Sequence, residues 1–256
     1  MEKSLQNPFT LEGKKILITG ASSGLGRQCA IRCSLSGASV IITGRDKERL
    51  METYNDLLPG NHGFYEADLS DFDSYETSLK EVLKDFGKLD GFVHSAGVEL
   101  TLPINMMKPI HYQSLFNINV VSGFELSRIL VKRKYLSANA SFVFIASVMG
   151  ILGQPGKIGY CITKGALVSG VKAMALELIP FKVRVNSILP AVCNTKMTEE
   201  LLADLTDEAR AKIFNAHPMG LGEPDDVALA AVYLLSDASR WITGTGLVID
   251  GGYSAL

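Results

Sequence analysis

Two side chains four residues apart raise the question of chemistry: Tyr160 and Lys164, in the stretch GYCITKGAL from Gly159 to Leu167. On a helix that spacing makes them neighbours on one face. Taken alone, the pair has two readings. It is an aromatic–aliphatic contact on a half-buried helix, or it is a phenol whose proton transfer is tuned by an ammonium group.

A second cluster lies near the start. ILITGASSGLGRQCA is a strand, then a turn carrying Gly20, Gly24 and Gly26, then a helix. Glycines let a chain turn tightly and let a pyrophosphate rest on the amides at a helix N-terminus, where the dipole favours negative charge. The spacing G-x-x-x-G-x-G differs from the commoner G-x-G-x-x-G. Its place after the first strand favours dinucleotide binding over a simple capping turn.

An acid that binds a ribose 2′-hydroxyl belongs near the end of the second strand. That strand ends IITGRDKERL, with Thr43 and Gly44 at the tip and Arg45 next. Asp46 precedes a helical pattern and reads first as its N-cap. An arginine with no acid at the tip suits a 2′-phosphate, although a surface arginine is the plainer reading. NADP(H) is favoured, with NAD(H) possible.

These residues need elements to hold them. The strand candidates are KKILIT, ASVIIT, HGFYEA, GFVHS, SFVFIA, VRVNSIL and LVID, and helical patterns such as DKERLMETYNDLL and DSYETSLKEVLKDF fall between them. Such alternation predicts an α/β domain whose mostly parallel sheet is covered on both faces. With no repeat or linker in evidence, residues 1–256 read as one domain. The segment from Ala191 to Pro218 reads as a helix-bearing insertion beyond a strand end, where open α/β sheets keep their ligand crevice.

Composition narrows the classes. A formal net charge of -2 argues against a nucleic-acid or anionic-membrane partner. No apolar run approaches the ~18 residues of a membrane span, and MEKSLQNPFT has no signal-peptide core. Cys29, Cys33, Cys161 and Cys193 read as reduced thiols of a cytoplasmic protein. The four histidines show no ligand pair, so no metal site is expected.

With these pieces in order, the chain resembles the short-chain dehydrogenase/reductase family over essentially its whole length, and within it the 3-oxoacyl-(acyl-carrier-protein) reductase-like branch. TGASSGLG matches the nucleotide turn, ADLSD the adenine contact, FNINVVSGF, FIASVMG and YCITK the catalytic segments, and LPAVCNTKM the loop beyond the sixth strand. The resemblance implies a Rossmann-like, doubly wound sheet of about seven strands and a catalytic set of Asn119, Ser147, Tyr160 and Lys164. It implies cofactor contacts from Gly20, Ser22, Ser23, Gly24, Leu25, Gly26, Arg45, Asp68, Leu69, Ala96, Gly97, Tyr160, Lys164, Pro190, Val192 and Thr195. It also implies a homotetramer, formed through paired helices around residues 112–134 and 160–178 and through the C-terminal strand. The sequence departs from the family at His94-Ser95, at Ala191 and in PMGLGEPDD. His94 reads as a hydrogen-bonded structural substitute.

The spacing of Tyr160 and Lys164 then acquires a role. A cation ~4 Å away at an effective dielectric of ~20 is worth roughly 4 kcal/mol, about three pKa units, which would bring the phenol near neutrality. Lys164 would reach the nicotinamide ribose, Ser147 would polarise the substrate oxygen, and Asn119 would hold the lysine through water. The expected activity is NADP(H)-dependent interconversion of a carbonyl and a secondary alcohol. The alternatives are a 3-oxoacyl-carrier reductase and a non-catalytic dinucleotide-binding regulator; the latter tends to lose the tyrosine or lysine kept here. A nucleotide-sugar epimerase would carry a longer C-terminal domain.

For substrate, a lid at about 191–218 is expected over a wall of Met149, Ile151, Leu152, Val192 and Met197. Glu199, Glu200, Asp204, Asp207 and Glu208 outnumber Lys196, Arg210 and Lys212 on that lid. Such a rim repels an acidic carrier, whereas Lys132-Arg133-Lys134 offers either a docking patch or a helix-dipole complement. A free, medium-sized ketone or alcohol is the expected substrate.

Overall fold

The β-branched runs become seven strands: β1 (Lys15–Thr19), β2 (Ser39–Gly44), β3 (Gly63–Glu66), β4 (Leu89–His94), β5 (Leu136–Ile145), β6 (Arg184–Pro190) and β7 (Gly246–Ile249). The computed structural model describes residues 7–203 and 205–255, without the side chains of Met197 and Leu201. Two expectations, Asp204 as a lid acid and the Met197 side chain as pocket wall, therefore lie outside the described residues.

All strand pairs are parallel, in the order β3-β2-β1-β4-β5-β6-β7. The order reverses between β1 and β4, which opens a crevice at the carboxyl ends of those strands. The helices are α1 (Gly24–Leu35), α2 (Lys47–Asn55), α3 (Tyr75–Phe86), α4 (Pro109–Phe116), α5 (Ser122–Leu130), α6 (Ile158–Glu177), α7 (Lys196–Ala203), α8 (Asp207–Asn215) and α9 (Pro224–Leu235).

Period-two alternation divides the core. Leu17, Ile41, Phe92, Phe142, Phe144 and Val185 face the layer built by α3, α5 and α6. Ile16, Ile18, Val40, Ile42, Val93 and Val143 face α1, α2 and α9. Both sheet faces are dry, which is why these strands read as continuous apolar runs.

One expectation about helix length needs correction. In place of one helix across 112–134, α4 and α5 form a rod interrupted by a π-helical turn at Asn117–Val121, and the rod ends at Leu130. The basic run beyond it is engaged by an acid on α3. Lys132 donates to both Glu76 oxygens at 2.8 Å, and Lys134 approaches Glu76 at 3.4 Å.

Helix α6 lies close over the carboxyl end of β5. A Cβ on Gly150, in the turn after β5, would stand 2.8 Å from the Lys164 carbonyl oxygen. Only a residue without a side chain permits that approach, and it brings the turn holding Ser147 against the helix holding Tyr160.

Phe92 tests the core beneath this edge. It is fully buried at the centre of the sheet and meets Phe142 and Phe144 edge-on at 5.5 and 6.0 Å. Phe92→Ala is expected to lower unfolding free energy by about 3–5 kcal/mol in urea titrations.

Candidate active site

Every cofactor residue anticipated from the sequence lies at or beyond a strand's carboxyl end, apart from the two on α6. The β1–α1 turn carries Gly20 to Gly26, Arg45 follows β2, Asp68 and Leu69 follow β3, Ala96 and Gly97 follow β4, and Pro190 to Thr195 end β6 and follow it. Tyr160 and Lys164 approach from the first two turns of α6, and Asn119 from the π-helical turn.

The catalytic candidates do converge. Ser147 is 8% exposed and Lys164 5% exposed. The Ser147 hydroxyl donates to Pro190 O at 3.4 Å and accepts the Met149 amide at 3.1 Å. The Lys164 ammonium lies 5.4 Å from the Tyr160 ring centroid and donates to the carbonyl of Ile145 at 2.9 Å. The helical spacing thus places the pair as expected, but the cation sits over the ring and is aimed at a strand end.

Burial works against the near-neutral phenol expected from the spacing. Enclosure by the protein pushes Tyr160 up to about 12, with the Ser147 hydroxyl offsetting part of the rise. Burial lowers Lys164 to about 8. Desolvation penalises both charged forms, so the phenol is held protonated and is suited to giving a proton.

Asn119 is fully buried, and its side chain is held by protein groups on two segments. Its Oδ1 accepts the Val98 amide at 2.8 Å, while Nδ2 donates to Val98 O at 2.9 Å and to Thr163 Oγ1 at 3.0 Å. It therefore fastens the loop after β4 to α6. A Cβ on Gly97 would stand 3.5 Å from both Asn119 Oδ1 and Lys164 Nζ, so that loop passes directly beside the ammonium.

His94 behaves as a structural group. It is wholly buried, with Nδ1 3.0 Å from Thr19 Oγ1 and Nε2 3.4 Å from Ser122 Oγ. Burial, aided by the nearby Lys164 charge, lowers its pKa to about 3. A neutral imidazole here links β1, β4 and α5.

The glycine turn fits an anion. Gly20 has φ +67° and its Cβ position is 2.7 Å from Ala96 backbone; a Cβ on Gly26 would meet Gly20 O at 2.3 Å. Ser23 is extended, makes no side-chain cap, and no acid occupies the first turn of α1. Its leading amides therefore lack the cap that Asp46 gives α2 and Thr206 gives α8. Such open donors match a dinucleotide's pyrophosphate.

At the tip of β2, Asp46 caps α2 by accepting the Arg49 amide at 3.0 Å, as its position suggested. Arg45 is exposed beside Gly44. Asp68 accepts the Ser70 amide and hydroxyl at 2.9 and 2.8 Å. Those bonds, and to a lesser degree the charge of Arg45, hold its carboxyl below the usual range.

Beyond β6, Thr195 precedes α7 and its methyl lies 3.7 Å from a Cβ position on Gly24. The Val192 amide donates to His217 Nε2 at 3.4 Å, and His217 Nδ1 lies 2.7 Å from Ile213 O. A one-residue bridge between Cys193 and Gly222 closes the base of the 191–218 segment.

Thr163, Thr19, His217 and the Ile145 carbonyl were not singled out from the sequence. Thr163 had a signal, lying one turn from Tyr160 on the same face. The Ile145 carbonyl had none, since any residue offers one. Among the described residues no cluster holds a metal ion and no helix is long and apolar enough to cross a membrane.

The comparisons agree with this geometry. The family model described as enoyl-(acyl carrier protein) reductase matches residues 20–254. The 3-oxoacyl-(acyl-carrier-protein) reductase of Thermotoga maritima is 33% identical, over 94% of this chain and 98% of its own. The 2-dehydro-3-deoxy-D-gluconate 5-dehydrogenase of Pseudoalteromonas atlantica is 33% identical, over 96% of this chain and 97% of its own. Among solved structures, a putative 2-deoxy-D-gluconate 3-dehydrogenase from Agrobacterium tumefaciens with bound NADP is 30% identical. It superposes with a TM-score of 0.86 over 98% of this chain and 100% of that one.

The buried lysine has a measurable signature. Lys164 titrates at about 8 in the fold, against a reference value of 10.5. Between those values the unfolded chain binds the extra proton, so the fold gains stability as pH rises. The stability of the native protein minus that of Lys164→Met, from urea titrations, is expected to climb by on the order of 2 kcal/mol between pH ~7.5 and ~9.5. A flat difference would show that the ammonium is not penalised by burial.

Proposed function

The chain belongs to the short-chain dehydrogenase/reductase family, and we propose that it uses NADP(H), with Tyr160 exchanging the proton of the reaction. Its relatives make it an oxidoreductase interconverting carbonyls and alcohols. The observation that carries the mechanistic reading is the meeting of Ser147, Tyr160 and Lys164 at the carboxyl end of β5, with the ammonium 5.4 Å from the phenol ring.

The uncapped α1 amides would hold the pyrophosphate, Asp68 and Leu69 the adenine edge, and Ala96, Gly97, Lys164, Val192 and Thr195 the nicotinamide half. When bound, a nicotinamide dinucleotide would supply the hydride that the carbonyl carbon accepts. Ser147 donates a hydrogen bond to the carbonyl oxygen, and Tyr160 gives that oxygen its proton, so hydride and proton together complete a two-electron reduction. A protonated phenol at neutral pH suits this direction. The Lys164 ammonium, 5.4 Å from the phenol ring, would stabilise the tyrosinate until solvent returns its proton, and Asn119 keeps the loop after β4 against α6.

The 2′-phosphate reading rests on Arg45. It stands exposed at the tip of β2; the adjacent Asp46 is committed to α2, and the nearby Asp68 accepts from Ser70. A free ketone or alcohol fits better than a carrier-tethered thioester, because Lys132 and Lys134 are already engaged by Glu76. The 191–218 segment would serve as the substrate lid. Exposed Ile110, Val121, Ile162 and Leu176 on the α4–α5 rod and α6 support pairing in a homotetramer, and reduced thiols suit the cytoplasm.

Tyr160→Phe is expected to reduce kcat by roughly 10²–10⁴-fold in an NADPH assay at 340 nm, with cofactor affinity nearly unchanged by fluorescence titration. Retained turnover would remove Tyr160 from the chemistry. Arg45→Ala is expected to weaken NADPH by about 10–100-fold and to leave NADH almost untouched; equal loss for both cofactors would refute the 2′-phosphate contact.

A further inference from the structure

A buried charge pair lies outside the machinery described so far. Lys157, the residue before α6, is 7% exposed and forms an ion pair with Glu99 in the loop after β4. The Glu99 side chain is 25% exposed. The Leu102 amide donates to Gly156 O at 2.9 Å, tying the two segments together.

Both partners hang from segments that position the catalytic groups. Lys157 is the N-cap of α6, three residues before Tyr160 in the first turn of that helix. Glu99 follows Val98, which Asn119 holds through both backbone groups. Two residues earlier, Gly97 lies against the Lys164 ammonium.

Stability offers little reason for such a pair. Desolvating two charges offsets most of their attraction, and an apolar pair of similar volume is often as stable. Burial does lower the pKa of Lys157, so the ammonium is poorly hydrated. It has three N–H donors, and among the described residues Glu99 is its ion-pair partner. Thr101 donates to Glu99 Oε1 at 3.4 Å, and no contact to Oε2 is found among the described residues.

We propose that Glu99 and Lys157 form the specificity device of this site, recognising hydroxyl groups on a neutral, polyhydroxylated or hydroxyketone substrate. This rests on the oxidoreductase reading above. One hydroxyl accepts from the ammonium while donating to the carboxylate, a match that neither a plain ketone nor a hydrocarbon chain can make. An anionic substrate is disfavoured, since it would compete with Glu99 for the same cation.

The test compares kcat/KM for 2-hydroxycyclohexanone with cyclohexanone, and for dihydroxyacetone with acetone, using NADPH at 340 nm. The native enzyme is expected to favour the hydroxylated member by at least about tenfold in one or both pairs, because a site built to bond a hydroxyl rejects the analogue lacking it. In Glu99→Gln and Lys157→Gln, checked for folding by circular dichroism, that ratio is expected to collapse toward unity. A native ratio near one overturns the proposal without any variant. So does a ratio that survives in folded variants, which would mark the pair as a structural clamp. Turnover of no ketone at all would overturn the oxidoreductase reading along with this one, whereas turnover without preference overturns this one alone.

Discussion

The site depends on where one buried ammonium finds its partner. An uncompensated charge in a dry interior is costly, and Lys164 resolves this by donating to Ile145 O at the end of β5. That bond joins the middle of the sheet to α6. With the helix held there, Gly150 packs against the Lys164 peptide and Ser147 is brought beside the phenol. The candidate catalytic groups are thus gathered by strand ends, and burial, which makes the lysine need a partner, also raises the phenol.

Charge placement follows a similar economy elsewhere. Positive groups that looked available are committed: Lys132 and Lys134 to Glu76, Arg32 to Asp225 across α1 and α9. Arg210 and Lys212 on α8 pair with Asp207 and Glu208 one turn earlier. Arg45 stands apart, exposed beyond β2 at the edge where a dinucleotide's adenosine half belongs.

Much of this was legible before any coordinates. Short β-branched runs located all seven strands, because the central strands are buried on both faces and are therefore mostly apolar. The glycine turn and the role of Asp46 were readable too, since each depends on residue type at a fixed offset. Three things were not. The direction of the Lys164 ammonium depends on a backbone carbonyl, which has no residue signature. The interruption near Asn119 leaves the apolar pattern almost unchanged, so the sequence read there as one longer helix. Glu99 and Lys157 are distant in the chain, and their meeting depends on how the loop after β4 lies against the start of α6. The spacing argument for Tyr160 succeeded in placing the pair and failed in predicting its electrostatics, because spacing does not report burial.

The π-helical turn at Asn117–Val121 is equivalent to one residue looped into an otherwise regular rod. Asn119 sits at its centre and makes its three bonds from there. The residue's aim is therefore a matter of counting as well as of identity. Such a site can change by deletion as well as by substitution: loss of one residue in that turn would restore the regular helix and rotate the amide away from Val98 and Thr163. A lineage that kept every catalytic letter could still lose this fastening through a single missing codon.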